Sequence, residues 1–291
     1  MHAEVSPPLS SYVESWAPGP VVEREPVLPV GPAAALSAVL DLPETVAGVD
    51  APLPPLWQWL YFLSWPARSE LGADGHPRDG HFLPPIPNRQ RMWAGGRCEI
   101  LEPLRLGMST ERISTLHTVT PKQGRTGEML FVTERREFRQ RGRACVVEEQ
   151  DIVYRSGRNA AQHPVTLDES AVPLTDEPWR LPLHPDPALL FRFSALTANA
   201  HRIHYDAPYC RAEEGYPGLV VHGPLLALLM LELPRRHSPD RRVRSLAFRF
   251  HSPVFAGERL VACGTPSDDG AELRIATHRD DRHASAEVTF V

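Results

Sequence analysis

The sequence predicts an α+β protein built from one unit present twice, each copy a buried helix followed by an antiparallel meander. Three observations carry this. Residues 51–63 and 223–233 are apolar on nearly every side and have proline in or near the first turn, as a helix wrapped by other elements requires. Each segment is followed by four runs of alternating, β-branched and aromatic residues with turn signals between them. The corner after the first of those runs has the same spacing in both copies, Pro103-Leu-Arg-Leu-Gly107 and Pro253-Val-Phe-Ala-Gly257. A shared order of helix, strand, corner and meander points to a duplicated unit.

Taken in order, residues 1–50 are proline-rich and carry a short helical segment, Pro32 to Leu42. The first buried helix is expected over Ala51–Leu63. Residues 64–90 read as loop, with Leu83-Pro-Pro-Ile-Pro87 extended, since a residue before proline avoids the helical region. Strands are expected near 97–102, 111–119, 128–138 and 143–154. Prolines and weak periodicity make 156–187 a linker between a first domain, 1–155, and a second, 188–291. The second copy has its helix from Gly223 and strands near 243–252, 259–265, 271–278 and 283–291.

Composition excludes several classes. A chain of 291 residues buries a sizeable core without staples. No apolar run approaches the ~18 residues needed to cross a bilayer. The N-terminus lacks a basic stretch followed by an apolar one, so no secretory signal is read there and a cytoplasmic protein is expected. A net charge of −5 argues against a general nucleic-acid binder. Cys98, Cys145, Cys210 and Cys263 lie far apart and are expected as buried thiols in strands, not as a zinc or disulfide framework. Every basic residue except Lys122 is an arginine, which singles out that lysine.

Chemistry concentrates in Phe191–Asp206 and in the helix start Val220-Val-His-Gly-Pro-Leu-Leu226. Asn199, His201, His204 and Asp206 fall within eight residues, and an amide cluster at a helix mouth follows. Imidazoles titrate near neutrality, and unpaired N–H groups at a helix start attract developing negative charge. His201, His204 and Asp206 are also the residue types of a metal cluster, but a third well-spaced ligand is not evident, and Asp206-Ala-Pro208 suggests a helix or turn ending there. No metal is expected.

A buried helix wrapped by a sheet, present twice, resembles the double hotdog fold. His204-Tyr-Asp206 and Val221-His-Gly-Pro224 resemble the MaoC-type (R)-hydratase and dehydratase module, whose D-x-N-P-x-H motif precedes a His-Gly helix start. With His204 on the motif's histidine, Asn199 takes the place of its aspartate and His201 that of its asparagine. The altered motif is similar to the branch holding mitochondrial-type 3-hydroxyacyl-thioester dehydratases and mesaconyl-C4-CoA and itaconyl-CoA hydratases. Pro54–Phe62, Arg91-Met-Trp-Ala-Gly-Gly96 and Glu148-Glu-Gln-Asp-Ile-Val-Tyr-Arg155 look like that branch too. The likeness runs from about Trp57 to Val291.

What the resemblance implies is a hydro-lyase acting on enoyl or 3-hydroxyacyl thioesters, with a short dicarboxylyl-CoA favoured and citramalyl-CoA as product. Coenzyme A enters as part of the substrate, and no other cofactor is expected. His204 is the expected base, Asn199 the residue that orients water, and the Gly223 amide the donor to the thioester oxygen. His201 and His222 are expected to shape the pocket. Arg89 and Arg91 are candidates to clamp a substrate carboxylate, and Lys122 and Arg125 to meet phosphate. His117, His163 and His251 receive no role. An amide cannot take a proton. Either His204 alone carries the acid–base cycle, then, or a first-half carboxylate, Glu148, Glu149 or Asp151, reaches in. A fatty-acid dehydratase, a thioesterase and a non-catalytic acyl-thioester binder remain as other readings, and the chain leaves room for a homodimer.

Overall fold

The computed structural model describes residues 7–124, 127–156, 165–173 and 175–291. Strand β1 (Val21–Glu25) leads into helix α1 (Val30–Val39), a 3-10 turn at Trp57–Leu60, and strands β2 (Arg89–Ile100), β3 (Thr110–Gly124), β4 (Gly127–Gln140) and β5 (Arg143–Ser156). The second copy runs β6 (Trp179–Leu183), α2 (Pro187–Leu196), a 3-10 turn at Arg202–His204, α3 (Ala207–Ala212), α4 (Gly223–His237), β7 (Val243–Phe250), β8 (Leu260–Pro266), β9 (Gly270–Ala276) and β10 (Ala284–Phe290). All ten strands form one sheet in the order β1-β3-β4-β5-β2-β7-β10-β9-β8-β6. That order is a palindrome: each half reads outward from the β2–β7 seam with the same connectivity. The duplication is therefore written in the hydrogen bonding, and the architecture is an α+β double hotdog.

The seam explains one motif. β2 pairs with β7 from Gly95 opposite Arg249 to Glu99 opposite Ser245. A Cβ on Gly95 would stand 2.3 Å from the Phe248 carbonyl oxygen, and one on Gly96 2.5 Å from that of Glu149. Glycine at 95 lets β7 of the other half, and glycine at 96 lets β5 of the same half, approach β2 this closely.

The two corners also match. Gly107 and Gly257 have φ of 81° and 91°, the left-handed region that favours glycine. Leu53 N–H donates to Leu104 O and Val221 N–H to Val254 O, so Leu53 and Val221 hold equivalent positions. Two residues beyond Val221 the second half begins α4, in which every residue from Leu225 to Pro234 is buried. Its one buried charge, Glu232, pairs with Arg235 and Arg236.

The first half departs from expectation at the same place. The helix expected over 51–63 is a single 3-10 turn, with Leu56 at φ 67° before it and Phe62 at φ 56° just after. Pro54 and Pro55 disfavour helical geometry in the residues preceding them, and left-handed residues at both ends stop a helix from propagating. Trp57, Leu60, Tyr61 and Phe62 are buried all the same. Hydrophobicity is satisfied without the helix, and the chain is free to leave at Phe62 towards the other half.

Seven of the eight meander strands lie close to where alternation placed them; β2 starts at Arg89, eight residues before the strand expected near 97–102. The edge strands β1 and β6 were not anticipated, and β6, inside the span read as linker, pairs with β8. Residues 157–164 and 174 of that span lie outside the described residues. All four cysteines are buried and free; three lie in strands, but Cys210 lies in α3. Among the described residues no helix is long and apolar enough to cross a membrane.

Candidate active site

Helix α2 is capped at its start by Asp186, whose carboxylate accepts from Leu189 N–H at 2.7 Å. It ends at Leu196, and Ala198, at φ 50°, turns the chain away. Asn199 Oδ1 then accepts from His201 N–H at 2.9 Å, closing a tight Asx turn. The 3-10 turn at Arg202–His204 follows. That turn ends just before Asp206, as the neighbourhood suggested, and Asp206 also opens α3, accepting from Tyr209 N–H and pairing with Arg202 at 2.7 Å. These local bonds fix the spacing of Asn199, His201 and His204 before any tertiary contact acts.

The tertiary contacts bring the histidines together. The rings of His204 and His222 stack with centroids 3.6 Å apart, and His201 stands edge-on to His204 at 5.5 Å. His204 Nδ1 lies 2.8 Å from Val220 O. A carbonyl can only accept, so Nδ1 carries the hydrogen and Nε2 keeps a free lone pair. Burial, with His201 adding to it and the Val220 bond opposing it, pushes the His204 imidazole down to about 3, so the ring is neutral at pH 7. Burial, then His76, pushes His201 down to about 3 as well. His222 lies well below its ordinary value for want of solvent; its Nε2 meets Ser194 Oγ at 2.8 Å. Its Nδ1 is buried with no partner among the described residues.

His222 precedes the first residue of α4, so its stacking on His204 puts that ring beside the helix mouth. Gly223 N–H has no carbonyl of a preceding turn to bond, and Pro224 has no N–H. A Cβ on Gly223 would meet the Phe250 ring at 3.1–3.3 Å, so the glycine keeps this mouth narrow. His204, Asn199 and Gly223 line one cleft of about 2600 Å³. That arrangement can activate a water on one side and stabilise an oxyanion on the other.

The first half builds the opposite wall. Its three quoted motifs converge: Trp59 Nε1–H donates to Glu148 Oε1 at 2.7 Å, Gln58 to Oε2 at 3.1 Å, and Gln150 also reaches the carboxylate. Trp59 packs on Trp93 with centroids 5.0 Å apart. Glu148 is thereby fully buried behind the wall. Glu149 is held by Arg97, and Asp151 by Thr133 and Arg97. None of the three carboxylates proposed to reach in lines the cleft.

The basic candidates separate. Arg91 lines the cleft, exposed, with no ion pair or hydrogen bond among the described residues; it acts on His201 and Glu134 only through its field. Arg89 also lines it, but its guanidinium donates to the carbonyls of Pro84 and Arg78 and so holds the proline loop. Lys122 is a correction to expectation. It sits near the end of β3 with its ammonium 4.6 Å from the Phe131 ring and does not line the cleft. The long β3–β4 hairpin carries it away. Arg125 and His163 lie outside the described residues.

One contribution was not foreseen. The loop from Gly72 to Arg78 crosses from the first half and docks on the turn at Arg202–His204: Arg202 N–H donates to Asp74 O at 2.8 Å and its guanidinium to Ala73 O at 2.9 Å. Gly75, at φ 89°, lies so close that a Cβ would stand 1.9 Å from Ala200 O. The loop delivers His76 to His201, with ring centroids 4.0 Å apart, and Asp74 Oδ2 holds His76 Nδ1 at 2.9 Å. Burial alone would raise Asp74, but the hydrogen bond and charge of His76 outweigh it and hold the carboxyl at about 2. Possible ligand atoms of Asp74, His76 and His201 lie within 4.8 Å of one another, and a cation there would have to displace the Asp74–His76 bond.

Comparison with known proteins gives consistent results. Residues 56–256 match the family model described as hydroxyacyl-thioester dehydratase type 2. The chain is 47% identical over 243 residues to mesaconyl-C(4)-CoA hydratase of Chloroflexus aurantiacus, covering 83% of this chain and 85% of that one. It is 28% identical over 253 residues to the mitochondrial hydroxyacyl-thioester dehydratase type 2 of Schizosaccharomyces pombe, covering 76% and 82%. Among solved structures, a MaoC-like dehydratase from Phytophthora capsici superposes with a TM-score of 0.67 at 12% identity, over 97% of this chain and 98% of that one, a likeness of fold.

Proposed function

We propose a reaction for this chain, which belongs to the hydroxyacyl-thioester dehydratase type 2 family: as a hydro-lyase, it reversibly adds water across the double bond of an enoyl-CoA. The observation that supports this most is the neutral His204 ring, its Nε2 free, stacked on the residue that precedes the Gly223 amide. In hydration, the water oxygen bonds to the β-carbon as its proton passes to His204 Nε2. The π electrons move to the α-carbon and on to the thioester oxygen, where the Gly223 N–H and the positive end of α4 receive the charge. The enolate then collapses as the α-carbon takes a proton. Asn199 orients the water: its Oδ1 is engaged by His201 N–H, which leaves the amide hydrogens to donate.

Within this class we favour a short dicarboxylyl-CoA of the mesaconyl-C4 or itaconyl type, giving citramalyl-CoA. Two observations support it: the identity to the Chloroflexus hydratase, and an unpaired Arg91 in the cleft. In a mesaconyl-C4 thioester the β-carbon carries a carboxylate, whose charge repels an incoming hydroxide-like water. A guanidinium offers bidentate bonds and removes that repulsion. The exposed Trp65, Met92, Phe191 and Tyr205 along the cleft give the thioester arm flat apolar surface. The chemistry is proton transfer and C–O bond formation, so it needs no metal or redox group. Four free thiols fit a reducing compartment such as the cytoplasm. The family description and the fission-yeast relative support a second reading, a 3-hydroxyacyl dehydratase of fatty-acid synthesis.

The test is a panel of CoA thioesters followed by loss of enoyl absorbance and by release of free thiol. Bleaching without thiol, fastest with mesaconyl-C4-CoA, is expected. Preference for longer monoacyl chains would favour the second reading. Thiol release would replace the proposal with a thioesterase, and no turnover with a binding protein.

A further inference from the structure

The cleft contains a second imidazole system that the reaction as written leaves without a task. Asn199 stands where the related motif carries an acid, and the three first-half carboxylates named from sequence are bonded elsewhere. Yet a carboxylate from the first half does reach the site, through Asp74 and His76. The Gly72–Arg78 loop is fixed in place by two hydrogen bonds from Arg202 and by the close contact of Gly75 with Ala200. His76 lines the cleft with about a quarter of its side chain accessible. Its Nδ1 faces Asp74 Oδ2, and its ring lies tilted against that of His201. A carboxylate bonded to one ring nitrogen orients the imidazole and stabilises its protonated form, leaving the other nitrogen to exchange a proton.

We propose that His76, oriented by Asp74, is the acid that protonates the α-carbon, in place of a carboxylate at Asn199; this rests on the hydro-lyase reading. In hydration His204 gains the water proton and His76 gives its own to the α-carbon. Protons balance: one imidazole ends charged and the other neutral. His201 lies between them, with centroids 5.5 Å from His204 and 4.0 Å from His76, and carries the proton back for the next cycle. In dehydration the roles reverse. The groups that act on or with His76 are Asp74 on its own loop and His201 and His204 from the second half; Arg91 from β2 and His222 act on His201, and Tyr209 from α3 on Asp74. Asp74 is the one carboxylate among them. Its low pKa, about 2, keeps that negative charge in place throughout the working range.

The experiment is His76→Gln and Asp74→Asn in the full chain, with hydration of the enoyl-CoA that the wild type turns over fastest measured from pH 5.5 to 9. Thermal midpoints check the fold, and Asp74→Glu is the conservative rescue. For His76→Gln, kcat falls by ~10²–10⁴ with KM nearly unchanged, the size of a general acid's contribution. For Asp74→Asn, kcat falls with KM nearly unchanged, because His76 loses the carboxylate that orients its ring; Asp74→Glu restores part of the loss. A folded His76→Gln protein with wild-type kcat and pH profile overturns the proposal while leaving the hydro-lyase reading intact. So does a stoichiometric divalent metal whose removal by chelator abolishes activity, since these side chains would then be ligands. A wild type inert towards every thioester defeats the hydro-lyase reading and this proposal together.

Discussion

His204 works as a base at neutral pH only if it is buried and unprotonated, and that condition has a signature in stability independent of any substrate. In the unfolded chain the ring takes a proton near 6.5, in the folded chain near 3. Between these values the unfolded state binds more protons, so stability falls as pH falls from about 6.5 towards 3, and the penalty is absent above 6.5. For one such ring the loss at pH 5 is about 2 kcal/mol relative to pH 8. His201 adds a similar contribution, reduced by the solvent its ring still meets. His204→Gln removes one titrating ring and leaves the rest. The assay is urea unfolding of wild type and His204→Gln at pH 8, 7, 6 and 5. The stability lost between pH 8 and pH 5 is expected to be smaller in the variant by about 2 kcal/mol. Parallel curves would mean that the ring is accessible to protons in the folded state, and the mechanism built on its free Nε2 would fail.

Three further outcomes follow from the same geometry. Trp59→Phe removes the indole donor from the fully buried Glu148 carboxylate and is expected to cost about 2 kcal/mol in chemical unfolding, whereas Trp65→Phe, exposed, costs next to nothing. Gly223→Pro keeps the backbone, since His222 at φ −62° and ψ 129° tolerates a following proline, but deletes the N–H; kcat should fall by ~10²–10³. Gly223→Ala adds the same Cβ against Phe250 and keeps the donor, so equal losses in the two variants would assign the effect to sterics. Arg91→Gln should raise KM for mesaconyl-C4-CoA about tenfold or more, the loss of roughly 1.4 kcal/mol of charge-assisted binding, while crotonyl-CoA turnover hardly changes; a uniform change would deny Arg91 a part in selecting the carboxylate.

How far the sequence revealed this protein depended on the range of the interaction involved. The eight meander strands and α4 were legible because alternation and turn residues are local signals. So were the corner glycines, Gly107 and Gly257, whose spacing repeats. The apolar run at 51–63 was not legible, because a buried helix and a buried irregular turn have the same hydrophobicity; what decided it was backbone geometry at Leu56 and Phe62. Strand β6 was hidden by Pro182, which is tolerated there because β6 lies at the sheet edge. In the site, Asn199, His201, His204 and Gly223 could be singled out because they are close in sequence. Asp74 and His76 could not: they lie in a stretch of Gly, Pro, Asp and His without periodicity, and long-range contacts, the packing of Gly75 on Ala200 and the hydrogen bonds from Arg202, bring them across. Lys122 was misplaced because the length of the β3–β4 hairpin, not the residue type, decides where it ends.

The most direct measurement is the absorbance of an enoyl-CoA, mesaconyl-C4-CoA first, mixed with wild type and with a His204→Gln protein shown to unfold cooperatively. Wild type is expected to bleach the enoyl band and yield a product heavier by one water, and the variant to do so ~10²–10⁴ times more slowly. A folded variant that bleaches the band at the wild-type rate would contradict the account at its centre.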